Sequence, residues 1–355
     1  MPIINMLSSA DKIAGHGVAS AYLEQVNLVK NGLSDDYQIK VNKYCLADIM
    51  HYHTINFRYF LSIPLAKLRG TTVAYVHFLP ETMDESIKLP FLIKKIFYMY
   101  IIWFYKSVDH LVVVNPYFIE ALKNYAVPEA KITYIPNFVA EKNFYNYKKE
   151  QIQELKEKFK LSPASFVVLG VGQVQTRKGI LDFIEVAKQL PQVEFLWAGG
   201  FSFGSITDGY KDLKVVMDNP PTNVRFLGIV SRAEMNDIYN ICDLMFLPSF
   251  NELFPMAILE AIALKKPVLL RDLDIYHNIL FDFYLKGNDI AEFTKLIEEL
   301  ATKTETYAAW CEKSSKCHEF YSEKYVLQQW QEFYDIVLVE KNKAIRSGLN
   351  EKQKY

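Results

Sequence analysis

The chain has 355 residues, is 50% hydrophobic and 23% charged, and carries a net charge of -1, which together exclude a disordered polymer and leave room for two buried cores. Its first 150 residues hold 16 Lys/Arg against 13 Asp/Glu, an excess too small for a nucleic-acid surface. Cys45, Cys242, Cys311 and Cys317 form no C-x-x-C pair and no signal peptide precedes them, so the reading is of reduced thiols in the cytosol.

In chain order, short apolar runs at 3–7 (IINML), 71–76 (TTVAYV) and 110–114 (HLVVV) are separated by helix-length spacers, the pattern of buried parallel strands. His51 and His53 alternate on a strand-like segment and share a face. A metal site needs a third ligand that spacing does not supply, so they read as cleft-lining or structural residues.

Residues 88–109 (KLPFLIKKIFYMYIIWFYKSVD) predict a helix from Pro90 with ten consecutive apolar residues, Ile96 to Tyr105. At ~1.5 Å per residue this run reaches about 15 Å, half a bilayer's hydrocarbon thickness, and cannot span it. Lysines beside Tyr and Trp suit a helix lying on anionic lipid; a core helix fits the apolar run but not Lys94 and Lys95 in its middle.

After Pro136-Asn137 and a polar, lysine-rich stretch the pattern restarts with runs at 166–172, 193–200, 224–230, 243–249 and 267–272, a second doubly wound domain. The boundary falls between about 140 and 163, and no solenoid-period repeat is visible.

Two stretches carry chemistry. In GVGQVQTRKGILDFIEVAKQL (170–190) a strand enters a glycine loop and then a helix near Gly179, with Arg177 and Lys178 at its entrance. Helix N–H groups and two cations suit a diphosphate, although a solvated basic pair fits the same residues. In SFNELFPMAILEAIALKKPVLL (249–270), Glu252 precedes a helix starting near Pro255, with free N–H groups around Met256 to Ile258. Glu260 sits in its apolar middle, where it needs a partner: a ribose diol, a lysine or neighbouring backbone.

These stretches, in this order on successive strand ends, resemble the donor site of family-four retaining glycosyltransferases. The resemblance implies an α/β GT-B fold, two doubly wound Rossmann-like domains facing across a cleft. With the pattern of apolar runs, the first spans 1–145 and the second 160–320, with a helix over 321–340 crossing back to the first domain; the polar composition of 341–355 reads as a disordered tail.

In that family the basic pair holds the diphosphate and the two Glu of a Glu-x7-Glu motif meet sugar and ribose. Those roles fall here to Arg177 with Lys178, to Glu252 and to Glu260. Phe254, Met256 and Ala257 would add loop backbone contacts, Gly172 the strand-end turn, Gly15 and Gly17 the N-terminal glycine loop, and His77 the cleft histidine. Two positions depart from the pattern: Gln173 where many relatives have Arg, which shifts weight onto Arg177 and Lys178, and Leu253 where many have a small residue, which opens the choice of hexose.

The resemblance further implies retention of configuration without a metal or other cofactor; Asp272-Leu273-Asp274 looks like a metal-binding D-x-D but stands in the wrong context for one. GHGVASAYLEQV, HYHTIN, GQVQTRKG and LRDLDIY look like Gram-positive enzymes that add a second hexose to monoglucosyl-diacylglycerol. The expected partners are thus UDP-glucose or UDP-galactose and a glycolipid acceptor in anionic lipid at the inner face of the cell membrane, with no nucleic acid.

Four other readings compete: a soluble or polysaccharide acceptor, a nucleotide-sugar epimerase, a membrane scaffold with a vestigial pocket, and a Rossmann oxidoreductase. The last rests on Gly15-His16-Gly17 and Gly170-Val171-Gly172. Both lack the third glycine of the dinucleotide fingerprint, with Ser20 and Gln175 in its place.

Overall fold

The computed structural model describes residues 1–9, 17–77, 79–80, 90–201, 204, 207–252 and 255–352, with backbone alone at 17–20 and 342–352. It divides into two units, Met1–Phe138 with Glu323–Tyr355, and Val139–Ser322.

The first unit is built on a six-stranded sheet in the order β2-β1-β3-β4-β5-β6. Its strands are β1 (Ile3–Leu7), β2 (Gln38–Val41), β3 (Ile49–Tyr52), β4 (Thr71–Val76), β5 (His110–Val113) and β6 (Ile132–Tyr134). All pairings are parallel. Because β3 and β4 pair His51 with Val73, the residues His51, His53, Tyr75 and His77 lie along one face.

Helices α1 (Gly17–Gly32), α2 (Phe57–Arg69), α3 (Phe91–Ser107) and α4 (Tyr117–Asn124) connect these strands. Pro90 caps α3, as the sequence predicts, and Pro64 lies inside α2. The α3 helix inserts Ile101, Phe104 and Tyr105 into the unit and leaves Phe91, Leu92, Ile96, Met99 and Trp103 exposed, so it is neither wholly core nor wholly free.

The second sheet runs β12-β11-β10-β7-β8-β9. Its strands are β7 (Val167–Val171), β8 (Glu194–Ala198), β9 (Val224–Gly228), β10 (Leu244–Leu247), β11 (Val268–Arg271) and β12 (Leu285–Gly287), again all parallel. The five apolar runs read from the sequence are β7 to β11. Helices in this unit are α5 (Lys149–Lys158), α6 (Ile180–Gln189), α7 (Tyr210–Asp218), α8 (Arg232–Ile241), α9 (Met256–Ala263), α10 (Asp274–Leu280), α11 (Ile290–Thr302) and α12 (Thr304–Glu319). Phe183 of α6 sits edge-on to Phe195 and Trp197 at 5.3 and 5.0 Å and stacks on Phe246, giving the core an aromatic centre.

The chain then returns to the first unit as α13 (Glu323–Lys352), where Val326, Trp330, Phe333, Tyr334 and Val337 make one buried stripe at helical spacing. The helix continues through Lys352, over most of the stretch 341–355 expected to be a disordered tail, of which residues 353–355 lie outside the described ones. Lysines and glutamates are good helix formers, and a helix already anchored by packing extends at little cost.

Candidate functional site

In the second unit, β7 delivers the chain into Gly172, whose φ of 149° belongs to the region glycine favours; a Cβ there would stand 3.3 Å from Lys178 Cε. A single 3-10 turn, Thr176–Lys178, follows, and Gly179 (φ 69°) turns the chain into α6. A Cβ on Gly179 would lie 2.2 Å from the Pro248 carbonyl oxygen, so the turn can press against the end of β10 only with glycine.

That contact, together with a hydrogen bond from Phe250 N–H to Arg177 O at 2.8 Å, brings the loop carrying Glu252 against the basic pair. Lys178 Nζ donates to Glu252 Oε1, and Arg177 Nη1 lies 3.8 Å from Oε2. Lys178 and Glu252 are both buried. Burial works to raise the Glu252 carboxyl pKa, but the charges of Lys178 and Arg177 outweigh it and hold the group below the usual carboxylate range. Arg177 is fixed besides by Nε to Gln175 Oε1 at 3.0 Å and Nη1 to Asn251 O at 3.0 Å, while Gln175 Nε2 donates to Gln173 Oε1 at 2.9 Å. The glutamine at 173 thus buttresses a cation instead of supplying one.

Glu260 lies in the middle of α9, buried among Ile258, Leu259, Ala261 and Ile262. Its Oε1 accepts from Arg232 Nη1 at 3.0 Å and its Oε2 from Tyr239 Oη at 2.8 Å. Pro255 is the cap of α9, one residue before its first turn, and Ile258 N–H already donates to Pro255 O at 3.0 Å. The N–H groups of the helix entrance therefore reduce to those of Met256 and Ala257.

Of the remaining sequence-predicted residues, His77 follows β4 in the first unit. Burial lowers its imidazole to about 3, so it is neutral. Gly17 opens α1, and Gly15 and Phe254 lie outside the described residues. Asp272 of the D-x-D is engaged by His277 Nε2 at 2.7 Å and Tyr284 Oη at 3.2 Å, and among the described residues no three His, Cys, Asp or Glu are grouped to hold a metal ion. All four cysteines are free thiols.

The first unit carries a second feature, half of which the sequence reading missed. On α2, Phe57, Leu61, Leu65 and Leu68 form an exposed stripe at i, i+4, i+8 and i+11, a helical spacing that was there to be read. Phe60 and Trp103 rings lie 4.6 Å apart and Phe57 and Tyr100 rings 6.3 Å, so α2 and α3 are neighbours. Together they expose ten large apolar side chains. They contain six Lys/Arg and no Asp/Glu, and Lys67 pairs with Asp109 of the following strand region. A groove of about 580 Å³ runs along α3 between Lys94, Lys95, Tyr98, Trp103 and Lys106. Among the described residues no helix is long and apolar enough to cross a membrane.

Residues 151–316 match the family Glycosyl transferases group 1, and residues 38–142 match Glycosyltransferase Family 4. The alpha-galactosylglucosyldiacylglycerol synthase of Streptococcus pneumoniae is 46% identical over 94% of this chain and 89% of its own length. This chain belongs to the family-4 glycosyltransferases. Another member, the processive diacylglycerol alpha-glucosyltransferase of Acholeplasma laidlawii, is 29% identical over 73% of this chain and 76% of its own.

The GT-B fold of the family-4 glycosyltransferase is shared with Anabaena HepE in complex with UDP-glucose (TM-score 0.75, 15% identity, 94% of this chain and 100% of that one). It is shared also with sucrose-phosphate synthase from Thermosynechococcus elongatus (TM-score 0.76, 15% identity, 96% and 100%).

Proposed function

We propose that this glycosyltransferase moves a hexose from a UDP-hexose to a glycosylated diacylglycerol, such as monoglucosyl-diacylglycerol, at the inner face of the cell membrane, with retention of configuration and without a metal. The observation that carries the lipid acceptor is the pair of neighbouring helices α2 and α3, with ten exposed apolar side chains and basic residues but no acidic ones. Such a surface seats in the headgroup region of an anionic bilayer, where apolar side chains gain about 25 cal/mol per Å² buried and each lysine about 1 kcal/mol. The 46% identical streptococcal relative, a galactosylglucosyldiacylglycerol synthase by name, supports the same acceptor class.

For the donor, Arg177 and Lys178 with the N–H groups opening α9 are the groups to stabilise charge growing on a leaving diphosphate. Glu252, held ionised between two cations, would exchange part of that pairing for sugar hydroxyls when the diphosphate brings its own negative charge to them. Glu260 would accept the ribose diol, His77 would meet the donor sugar as a neutral imidazole, and the departing diphosphate would help take the acceptor proton. No enzyme nucleophile is then needed.

The test is to supply UDP-glucose or UDP-galactose with glycolipids in anionic vesicles, with and without a chelator, and to determine product mass and anomeric configuration. A β-linked product removes retention, loss of turnover with chelator removes metal independence, and transfer to soluble sugars alone removes the lipid acceptor.

A further inference from the structure

Glu260 is a carboxylate inside an apolar helix, and the groups that make its position tenable come from another helix. Arg232 opens α8 and reaches Oε1 at 3.0 Å, and Tyr239, two turns further along α8, reaches Oε2 at 2.8 Å, so each oxygen has its own donor. The tyrosine hydroxyl lies also 3.2 Å from Ala257 O, one turn earlier on α9. Burial and the adjacent Glu260 charge push the Tyr239 phenol well above its ordinary range, so it keeps its proton and acts as a donor.

The guanidinium is fixed from its other side by the Phe144 ring, 5.1 Å from its centroid, and Phe144 in turn packs edge-on to Tyr239 at 5.7 Å. Phe144, Arg232, Tyr239 and Glu260 therefore form a closed ring of contacts within the second unit. A carboxylate has about four acceptor directions, so being held by two donors and receiving a diol are compatible.

We infer that Arg232 and Tyr239 are positioning residues for the donor nucleotide: they hold the Glu260 carboxylate in one orientation, so that it meets the ribose diol without first being ordered. This rests on the reading of Glu260 as the ribose acceptor. Arg232 also lines a groove of about 310 Å³ with Tyr145, Tyr147 and Asn236, so a direct contact from Arg232 to the nucleotide is the rival explanation that the experiment has to separate.

The experiment measures binding of UDP and 2′-deoxy-UDP to the wild-type chain and to Arg232→Ala, Arg232→Lys, Tyr239→Phe and Glu260→Ala, with thermal melts as folding controls and steady-state kinetics beside them. In Arg232→Ala, loss of a charge-assisted hydrogen bond weakens UDP by about tenfold. Weakening of 2′-deoxy-UDP should be clearly smaller, because that ligand has less to lose at Glu260. Tyr239→Phe should show the same pattern more weakly, and Arg232→Lys should recover part of the loss. The donor KM should rise with kcat nearly unchanged. Equal weakening of both ligands by Arg232→Ala, with a normal melt, overturns the inference in favour of direct contact. Should Arg232→Ala fail to fold, Tyr239→Phe decides by the same comparison. If Glu260→Ala itself does not discriminate the two ligands, the ribose reading fails. If Glu260→Ala discriminates and neither helix α8 variant does, only the positioning inference fails.

Discussion

The two units bury polar side chains by opposite means. The first holds three imidazoles without charge: His51 Nδ1 meets Tyr334 Oη at 3.0 Å, while both His53 ring nitrogens and His77 Nε2 find no partner among the described residues. Desolvation, assisted by neighbouring imidazoles at His51 and His53, brings His51 and His77 to about 3 and His53 well below its ordinary value. The second unit instead buries carboxylates against cations, Glu252 against buried Lys178 and half-buried Arg177, and Glu260 against half-buried Arg232. Neutral burial stores an acid sensitivity, whereas paired burial makes each partner hostage to the other.

The pairing is broken hardest by Glu252→Ala, which leaves Lys178 buried beside another cation. Removing one partner of a buried pair costs about 3–5 kcal/mol. The expected outcome is a lower melting temperature together with a loss of turnover of roughly 100-fold or more, the scale of a displaced charge-stabilising group, read by calorimetry and product formation. An unchanged melt would mean that the pair is not buried in solution.

The contrast is sharpened by acid. A histidine depressed in the folded state contributes stability that is complete above its unfolded value near 6.5 and is lost as pH falls toward 3, at about 1.4 kcal/mol per pH unit for each such group. Glu252, also depressed, contributes nothing to acid lability until pH drops below the ordinary glutamate range. Between pH 6.5 and 5, hydrogen exchange should therefore quicken in β3 and β4 before β7 and β10. Simultaneous loss would contradict the difference between the units.

A third test addresses the surface of the first unit. Leu61→Ser with Leu65→Ser should lower partitioning onto anionic vesicles about tenfold at any salt concentration, by loss of inserted apolar area. Lys94→Glu with Lys95→Glu should lower it comparably at low salt, with the difference shrinking as salt rises. The smallest effect expected is that of Gln175→Ala. It removes one hydrogen bond orienting Arg177, at about 1 kcal/mol, and should raise the donor KM about fivefold.

Legibility in the sequence tracked apolar content. Strands β7 to β11 stand out as continuous apolar runs, but the edge strands β2 (QIKV) and β12 (LKG) are short and half-polar, and so were invisible. The residues proposed for the donor site were singled out through the resemblance and the Glu-x7-Glu spacing, Glu252 and Glu260 sharing one loop and helix. Their partners were not. Arg232 and Tyr239 lie 28 and 21 residues from Glu260, and Gln173 read as a gap in the basic pattern and Gln175 as a missing glycine, not as a brace for Arg177. Glu260's position in an apolar helix announced that a partner existed without saying which, because tertiary pairing leaves no mark in local sequence.

Helix α13 gives the molecule an order of assembly. The second unit is one continuous segment, while the first is interrupted by it and is closed by Trp330 and Tyr334, which pack on His51 and Tyr75. On a ribosome, the earlier-made residues of the first unit must wait, with the face of β3 and β4 that carries His51 and Tyr75 uncovered, until α13 emerges. The unit that is translated first is therefore the one completed last, and a nascent chain halted before Glu323 should resist protease in its second unit while its first is still cleaved.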